Sequence, residues 1–242
     1  MGIAQNLELV RSRLEQAARR ANRNPAEVRL VAVSKLHPAA SIREAYAAGQ
    51  RDFGENYVQE LVGKARELAD LDGLRWHLIG HLQRNKAKYV APFVSLLHTV
   101  DSLSLAGELA KRSAAAAERK GQPLPVLVEV SIAGEEQKSG AALSELPALL
   151  EAIDGEPSLT LRGLMCVPPA TATGDAARPY FETLRRLRDE YGGTARLPEL
   201  SMGMSSDLEA AVAAGATWVR VGTAIFGERP VNNPREPEPG GG

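Results

Sequence analysis

Lys35 closes the apolar run Leu30-Val31-Ala32-Val33-Ser34-Lys35, and no other lysine occurs in the first 63 residues. Arginine is this chain's ordinary cation, since only seven of its 29 basic residues are lysines. A lysine ending a strand of this kind invites a chemical reading. Its amine, unlike a guanidinium, can shed a proton and attack an aldehyde carbon. The plainer alternative is a strand end whose cation simply reaches water.

Two loops near the C-terminus offer the complement. Ser201-Met202-Gly203-Met204-Ser205-Ser206 runs toward a helix, and Ser206 with Glu209 fits a capping box. Gly203 and Gly222 permit close approach of the backbone to an anion. Met204 lies in the first loop, the Ser205 hydroxyl is a polar group there, and Gly222 and Thr223 supply N–H donors. The alternative is that these glycines serve tight turns and Ser206 caps its helix. Arg220 sits between Val219 and Val221, where an arginine is costly unless it faces a polar cavity or partner. An aldehyde-binding lysine, a phosphate cradle and a cation beside a ring are the parts that hold pyridoxal 5′-phosphate.

These residues need a scaffold that gathers strand ends. Residues Ile3, Leu7, Val10, Leu14, Ala17 and Ala21 recur at helical spacing, and Asn24-Pro25 ends that segment. Strands are then predicted over 30–34, 52–53, 74–79, 96–100, 125–132, 159–165, 200–201 and 217–221. Helices are predicted over 41–48, 55–68, 86–90, 103–120, 144–153, 178–191 and 206–214. Short Val, Leu and Ile-rich strands alternating with helices point to parallel strands covered on both faces. Eight such units favour a single (β/α)8 TIM barrel with an extra N-terminal helix. No Gly-x-Gly-x-x-Gly follows the first strand, which weakens the dinucleotide-binding alternative. The barrel domain is expected over 1–230 and a disordered Pro/Gly-rich tail over 231–242. Barrel sites lie at the C-terminal strand ends. Lys35, Asn56, His81, Asp101, Ser131, Ser205 and Thr223 all follow strands there.

Composition narrows the partners. A net charge of -1 gives no basic surplus for nucleic acid or an anionic membrane. The single cysteine, Cys166, forms no intramolecular disulfide and reads as buried filler rather than a reactive thiol. No apolar run is long enough to span a bilayer, and no metal site is expected. The N-terminus lacks a secretory h-region, and Glu8 and Glu15 argue against a mitochondrial presequence. A cytoplasmic monomer is expected.

Longer stretches carry a resemblance. They are 30–35, Phe53-Gly54-Glu55-Asn56-Tyr57-Val58-Gln59-Glu60, and Trp76-His77-Leu78-Ile79-Gly80-His81-Leu82-Gln83-Arg84-Asn85-Lys86. They continue with His98-Thr99-Val100-Asp101-Ser102, Gly163-Leu164-Met165, Leu200-Ser201-Met202-Gly203-Met204-Ser205 and 219–227. Together they resemble the pyridoxal phosphate homeostasis proteins, also called the proline synthase co-transcribed family, across about residues 5–228. Arg84 and Thr99 depart from the family's usual residues but touch no proposed cofactor contact.

The resemblance implies a fold-type III barrel similar to the N-terminal domain of alanine racemases. It implies pyridoxal 5′-phosphate held as an aldimine on Lys35, with Ser205, Gly222 and Thr223 on the phosphate. It further implies Arg220 at the pyridine nitrogen and Asn56 lining the ring. The racemases' additional β-domain, whose tyrosine is a second base, has no counterpart in this sequence. The resulting expectation is a non-catalytic protein of cofactor homeostasis, with pyridoxal-phosphate-dependent apo-enzymes as partners. The alternatives are a small racemase-like enzyme using His81 or His37 as base, and a cofactor-free aldolase using Lys35.

Overall fold

The computed structural model describes residues 2–133 and 139–228. Helix α1, Ile3–Arg20, buries the face Leu7, Val10, Leu14, Ala17 and Ala18, as its three- and four-residue spacing requires. Eight strands follow: β1 Arg29–Val33, β2 Asp52–Glu55, β3 Arg75–Leu78, β4 Leu96–Val100, β5 Leu124–Glu129, β6 Leu159–Met165, β7 Glu199–Ser201 and β8 Trp218–Val221. Each pairs in parallel with the next, and β8 pairs with β1, so the sheet closes into a barrel. The expected TIM barrel with its additional helix is what the chain forms.

The helices are α2 Ala39–Ala47, α3 Val58–Glu67, α4 Ala87–Val90, α5 Leu103–Ala114, α6 Leu146–Asp154, α7 Arg178–Glu190, α8 Gly193–Arg196, α9 Leu208–Ala213 and α10 Thr223–Phe226. Strand and helix faces between the layers form one large apolar core. Inside the barrel a second, small cluster contains Val31, Leu96, Leu127, Met165 and Trp218. Helix α1 lies against α2, α9 and α10, beside the seam where the barrel closes.

Boundaries differ where side chains intervene. Helix α5 stops at Ala114 rather than 120, followed by a 3-10 turn over Ala117–Arg119. There Arg119 donates to the carbonyls of Ala91, Val94 and Pro123, which ties the segment to the neighbouring unit. Strand β2 runs on through Glu55, and α3 starts only at Val58. Strand β5 ends at Glu129, and its continuation meets Ala141 in an isolated bridge from Val130. The tail expected to be disordered, 231–242, lies outside the described residues. Among the described residues no helix is long and apolar enough to cross a membrane.

Candidate functional site

Lys35 leaves β1 half-buried at the C-terminal end of the barrel. Its flanks are held by one buried ionic cluster. The Lys64 ammonium, from α3, donates to the Ser34 carbonyl at 2.7 Å, to Glu55 Oε1 at 2.7 Å and to Glu60 Oε1 at 2.6 Å. The Ser34 hydroxyl donates to the same Glu55 oxygen at 2.7 Å. Glu55 is fully buried, and burial pushes its carboxyl up to about 7 against the opposing pull of Lys64. The sequence pattern places Glu55 at a helix start. The strand's extension instead drives it into the interior, where Lys64 must meet it.

Strand β8 stands beside β1 in the register Val31↔Arg220 and Ala32↔Val221. The expected pairing of the first and last strands is therefore present, with Arg220 level with Val31 and Lys35 just past the end of β1. Arg220 is 4% exposed. It donates through Nη1 to Ser201 Oγ at 2.7 Å and through Nη2 to the Cys166 carbonyl at 3.0 Å. Those bonds engage two of a guanidinium's five N–H groups. Burial lowers its pKa, and the Cys166, Glu129 and Asp207 groups oppose that fall.

From Ser201 a polar chain descends the barrel axis. Ser201 Oγ lies 2.8 Å from His98 Nδ1, His98 Nε2 lies 3.0 Å from His77 Nδ1, and His77 Nε2 lies 3.0 Å from Asp52 Oδ1. Arg75 closes it with two bonds to the Asp52 carboxylate at 2.6 and 2.7 Å. Burial, then His77 and the arginines Arg220 and Arg29, hold His98 well below its usual range, so its ring is neutral. One assignment of the ring protons satisfies every atom of the chain: Arg220 donates to Ser201, Ser201 to His98, His98 to His77 and His77 to Asp52. None of these four partners was assigned a role from sequence. Each is one inward residue on a different strand, so no spacing betrays them.

The two C-terminal loops converge beside β1. Gly222 packs so closely that a Cβ there would stand 3.0 Å from the Val33 carbonyl oxygen. Gly203 has φ +93°, and a Cβ on it would stand 2.5 Å from that of Ala211. Ser206 caps no helix here, contrary to the capping-box reading. Helix α9 begins at Leu208, Asp207 Oδ1 accepts the Met204 N–H at 2.6 Å, and Glu209 pairs with Arg13 of α1. Met204 and Ser205 are half-buried in this loop, and Thr223 is exposed at the first position of α10. The first N–H groups of such a turn have no acceptor within it.

Asn56 follows β2 with Oδ1 buried and without a hydrogen-bond partner among the described residues. Glu129, ending β5, has the same feature at Oε2, while its Oε1 accepts from Ser139 at 3.0 Å. Burial raises both the Glu129 and Asp207 carboxyls, and Arg220 partly offsets each rise. Carboxyls shifted toward neutrality around a buried guanidinium suit an anionic guest. Orphaned acceptors at Asn56 and Glu129 suit one carrying donors. The residues present thus fit pyridoxal 5′-phosphate. His81, exposed, has Nδ1 3.1 Å from Asp101 Oδ2, whereas His37 is buried against the Phe226 ring. Cys166 is buried and burial pushes its thiol up to about 12, as expected for filler. No group of three or more potential metal ligands occurs among the described residues.

Fold and site together define a closed parallel barrel with a lysine in the turn after β1 and a buried arginine on β8. The alanine racemase N-terminal domain family matches residues 5–230. A pyridoxal phosphate homeostasis protein of Pseudomonas aeruginosa is 49% identical over 232 residues, 96% of this chain and 98% of that one. Its counterpart in Escherichia coli K12 is 46% identical over 233 residues, 94% of this chain and 97% of that one. The structure of PipY from Synechococcus elongatus PCC7942, with PLP bound, superposes with a TM-score of 0.80 at 42% identity, covering 93% of this chain and 100% of that one. The chain belongs to the pyridoxal phosphate homeostasis protein family, within the alanine racemase N-terminal domain family. An alanine racemase of Corynebacterium glutamicum shares the fold alone, with a TM-score of 0.64 at 18% identity, covering 98% of this chain and 63% of that one.

Proposed function

We propose that this chain binds pyridoxal 5′-phosphate covalently through Lys35 and serves intracellular supply of that cofactor rather than turnover of a substrate. The observation that carries the reading is the Val31↔Arg220 register. It supports a covalent anchor in the turn after one strand and a buried cation on the strand beside it. The names of the relatives and the PLP bound to PipY support the same cofactor.

When bound, the cofactor supplies an electrophilic aldehyde and an electron-withdrawing ring. Lys35 would supply the amine that condenses with that aldehyde, water being lost. Ser205, Gly222 and Thr223 would hold the phosphate from the two loops, Met204 would line the site beside them, and Asn56 would line the ring. Arg220 faces the ring nitrogen, where a fixed cation repels a proton. The ring then withdraws fewer electrons, which favours holding the cofactor over labilising an amino acid. Apo-enzymes that use the cofactor are the recipients this role requires.

The spectrum of the protein with added pyridoxal 5′-phosphate tests the reading. A band near ~420 nm, as conjugated imines of this cofactor give, is expected in the wild type and lost in Lys35→Ala. An undiminished band in the variant overturns it. The His81–Asp101 contact favours a second reading, a racemase-like enzyme with His81 as base. Lys35-dependent exchange of amino-acid α-protons in deuterated buffer at enzymatic rates is its signature.

A further inference from the structure

The turn that carries Lys35 is built against the grain of its sequence. The His37 N–H donates to the Ser34 carbonyl at 3.1 Å, so Lys35 and Leu36 are the central residues of a four-residue turn. Leu36, the third residue, has φ +64°. Turns with positive φ at that position take glycine or asparagine, because a side chain there crowds the backbone. Among the described residues, the other non-glycine positions with positive φ, Asn22 and Lys120, lie within two residues of a helical segment's end. A left-handed residue is routine at the end of a helix. Leu36 ends no helix.

Two bonds hold this disfavoured shape, and one cluster makes both. The Leu36 N–H donates to Glu60 Oε1 at 2.6 Å, on the far side of Lys35 from the Ser34 carbonyl that Lys64 grips at 2.7 Å. Lys64 joins the two, since the same Glu60 oxygen accepts from its ammonium. Its three N–H donors meet three acceptors, the oxygens of Ser34, Glu55 and Glu60. Lys64 is thus engaged as a structural cation, and it is the only other lysine in the first 85 residues.

We propose that Lys64, with Glu55 and Glu60, is the positioning group for Lys35: the cluster clamps the peptide groups on both sides and so sets the direction in which the Lys35 amine enters the barrel mouth. This rests on the reading of Lys35 as the covalent attachment point. A backbone held in a sparsely populated conformation by its surroundings is a recurrent feature of functional positions. Lys64 acts through Lys35 and touches no cofactor. Removing it releases the turn to relax, and the amine then spends less of its time aligned with the aldehyde.

The test compares the wild type, Lys64→Met, Glu60→Ala and the double variant Lys64→Met/Leu36→Gly. Each is titrated with pyridoxal 5′-phosphate by absorbance, reduced with borohydride, mapped by peptide mass spectrometry and melted by circular dichroism. Lys64→Met is expected to bind the cofactor roughly tenfold more weakly, the scale of the strain it releases. Glu60→Ala, at a partly exposed position, shifts affinity in the same direction and serves if Lys64→Met does not fold. Leu36→Gly restores a large part of the affinity in the Lys64→Met background, because glycine takes positive φ at little cost. A purely structural cluster lowers the melting temperature of the variants while leaving affinity, band and labelled lysine as in wild type. That result, or a failure of Leu36→Gly to rescue, overturns the inference. Labelling elsewhere than Lys35 in the wild type overturns the reading beneath it as well.

Discussion

Ser201→Ala cuts the axial chain at its middle. The hydroxyl is fully buried, accepts from Arg220 at 2.7 Å and lies 2.8 Å from His98 Nδ1. Its removal strands one guanidinium N–H and one imidazole nitrogen in the interior. An unsatisfied buried polar group costs ~1–3 kcal/mol, so two cost roughly 2–4 kcal/mol after partial relaxation. For a domain of this size ~1 kcal/mol moves Tm by about 2–4 °C, which gives a fall of roughly 4–16 °C. Calorimetry of the purified protein reads this directly, with Ser206→Ala as the control. Ser206 is exposed and α9 begins beyond it. Its substitution is expected to fall within about 0.5 kcal/mol of wild type. Equal melting of the two variants refutes the chain. A Ser206→Ala loss as large as that of Ser201→Ala restores the capping box that the geometry rejects.

Acid and base titrations act on opposite ends of the barrel. At Asp52 burial raises the carboxyl, but the Arg75 and His77 hydrogen bonds win and bring it from 3.8 to about 2. Its contribution, on the order of 2 kcal/mol, is present above the unfolded value and is lost as pH falls through about 2; Asp52→Asn removes that slope in acid unfolding curves. Glu55 carries the opposite sign, since burial lifts it from 4.5 to about 7. Its favourable term is complete below 4.5 and is lost as pH rises through about 7. Tm therefore declines across that window in wild type and declines less in Glu55→Gln. Gly203→Ala combines a φ of +93° with a 2.5 Å contact to Ala211, and is expected to destabilise by about 2 kcal/mol or more in urea unfolding. Cys166, buried with its thiol near 12, is expected to react with a disulfide reagent only at the rate of unfolding, as protection that vanishes in denaturant shows.

What the sequence disclosed and what it hid divide along a physical line. Alternating apolar strands and amphipathic helices carry local periodicity, so the barrel and its strand ends were legible. Closure then follows from the count, and closure sets Arg220 on the strand beside Lys35. Side-chain pairings across the barrel have no such signal. His77, His98 and Ser201 look like isolated polar residues until three strands turn them inward together. Glu55 followed Gly54 and preceded Asn56, a triplet that reads as a turn and helix start. Only Lys64, one helix away, makes its burial tenable. The Ser206–Glu209 pattern met the spacing of a capping box, but Arg13, nearly 200 residues distant, took Glu209, and Asp207 took the Met204 N–H. Helix α10 has four residues, too few for any periodicity to mark it.

The most direct measurement is reductive trapping. The protein is saturated with pyridoxal 5′-phosphate, reduced with borohydride, digested and sequenced by mass spectrometry. The account predicts one phosphopyridoxyl group per chain on Lys35, and none in Lys35→Ala. Stoichiometric label on another lysine, or an unmodified wild-type chain at saturation, contradicts it.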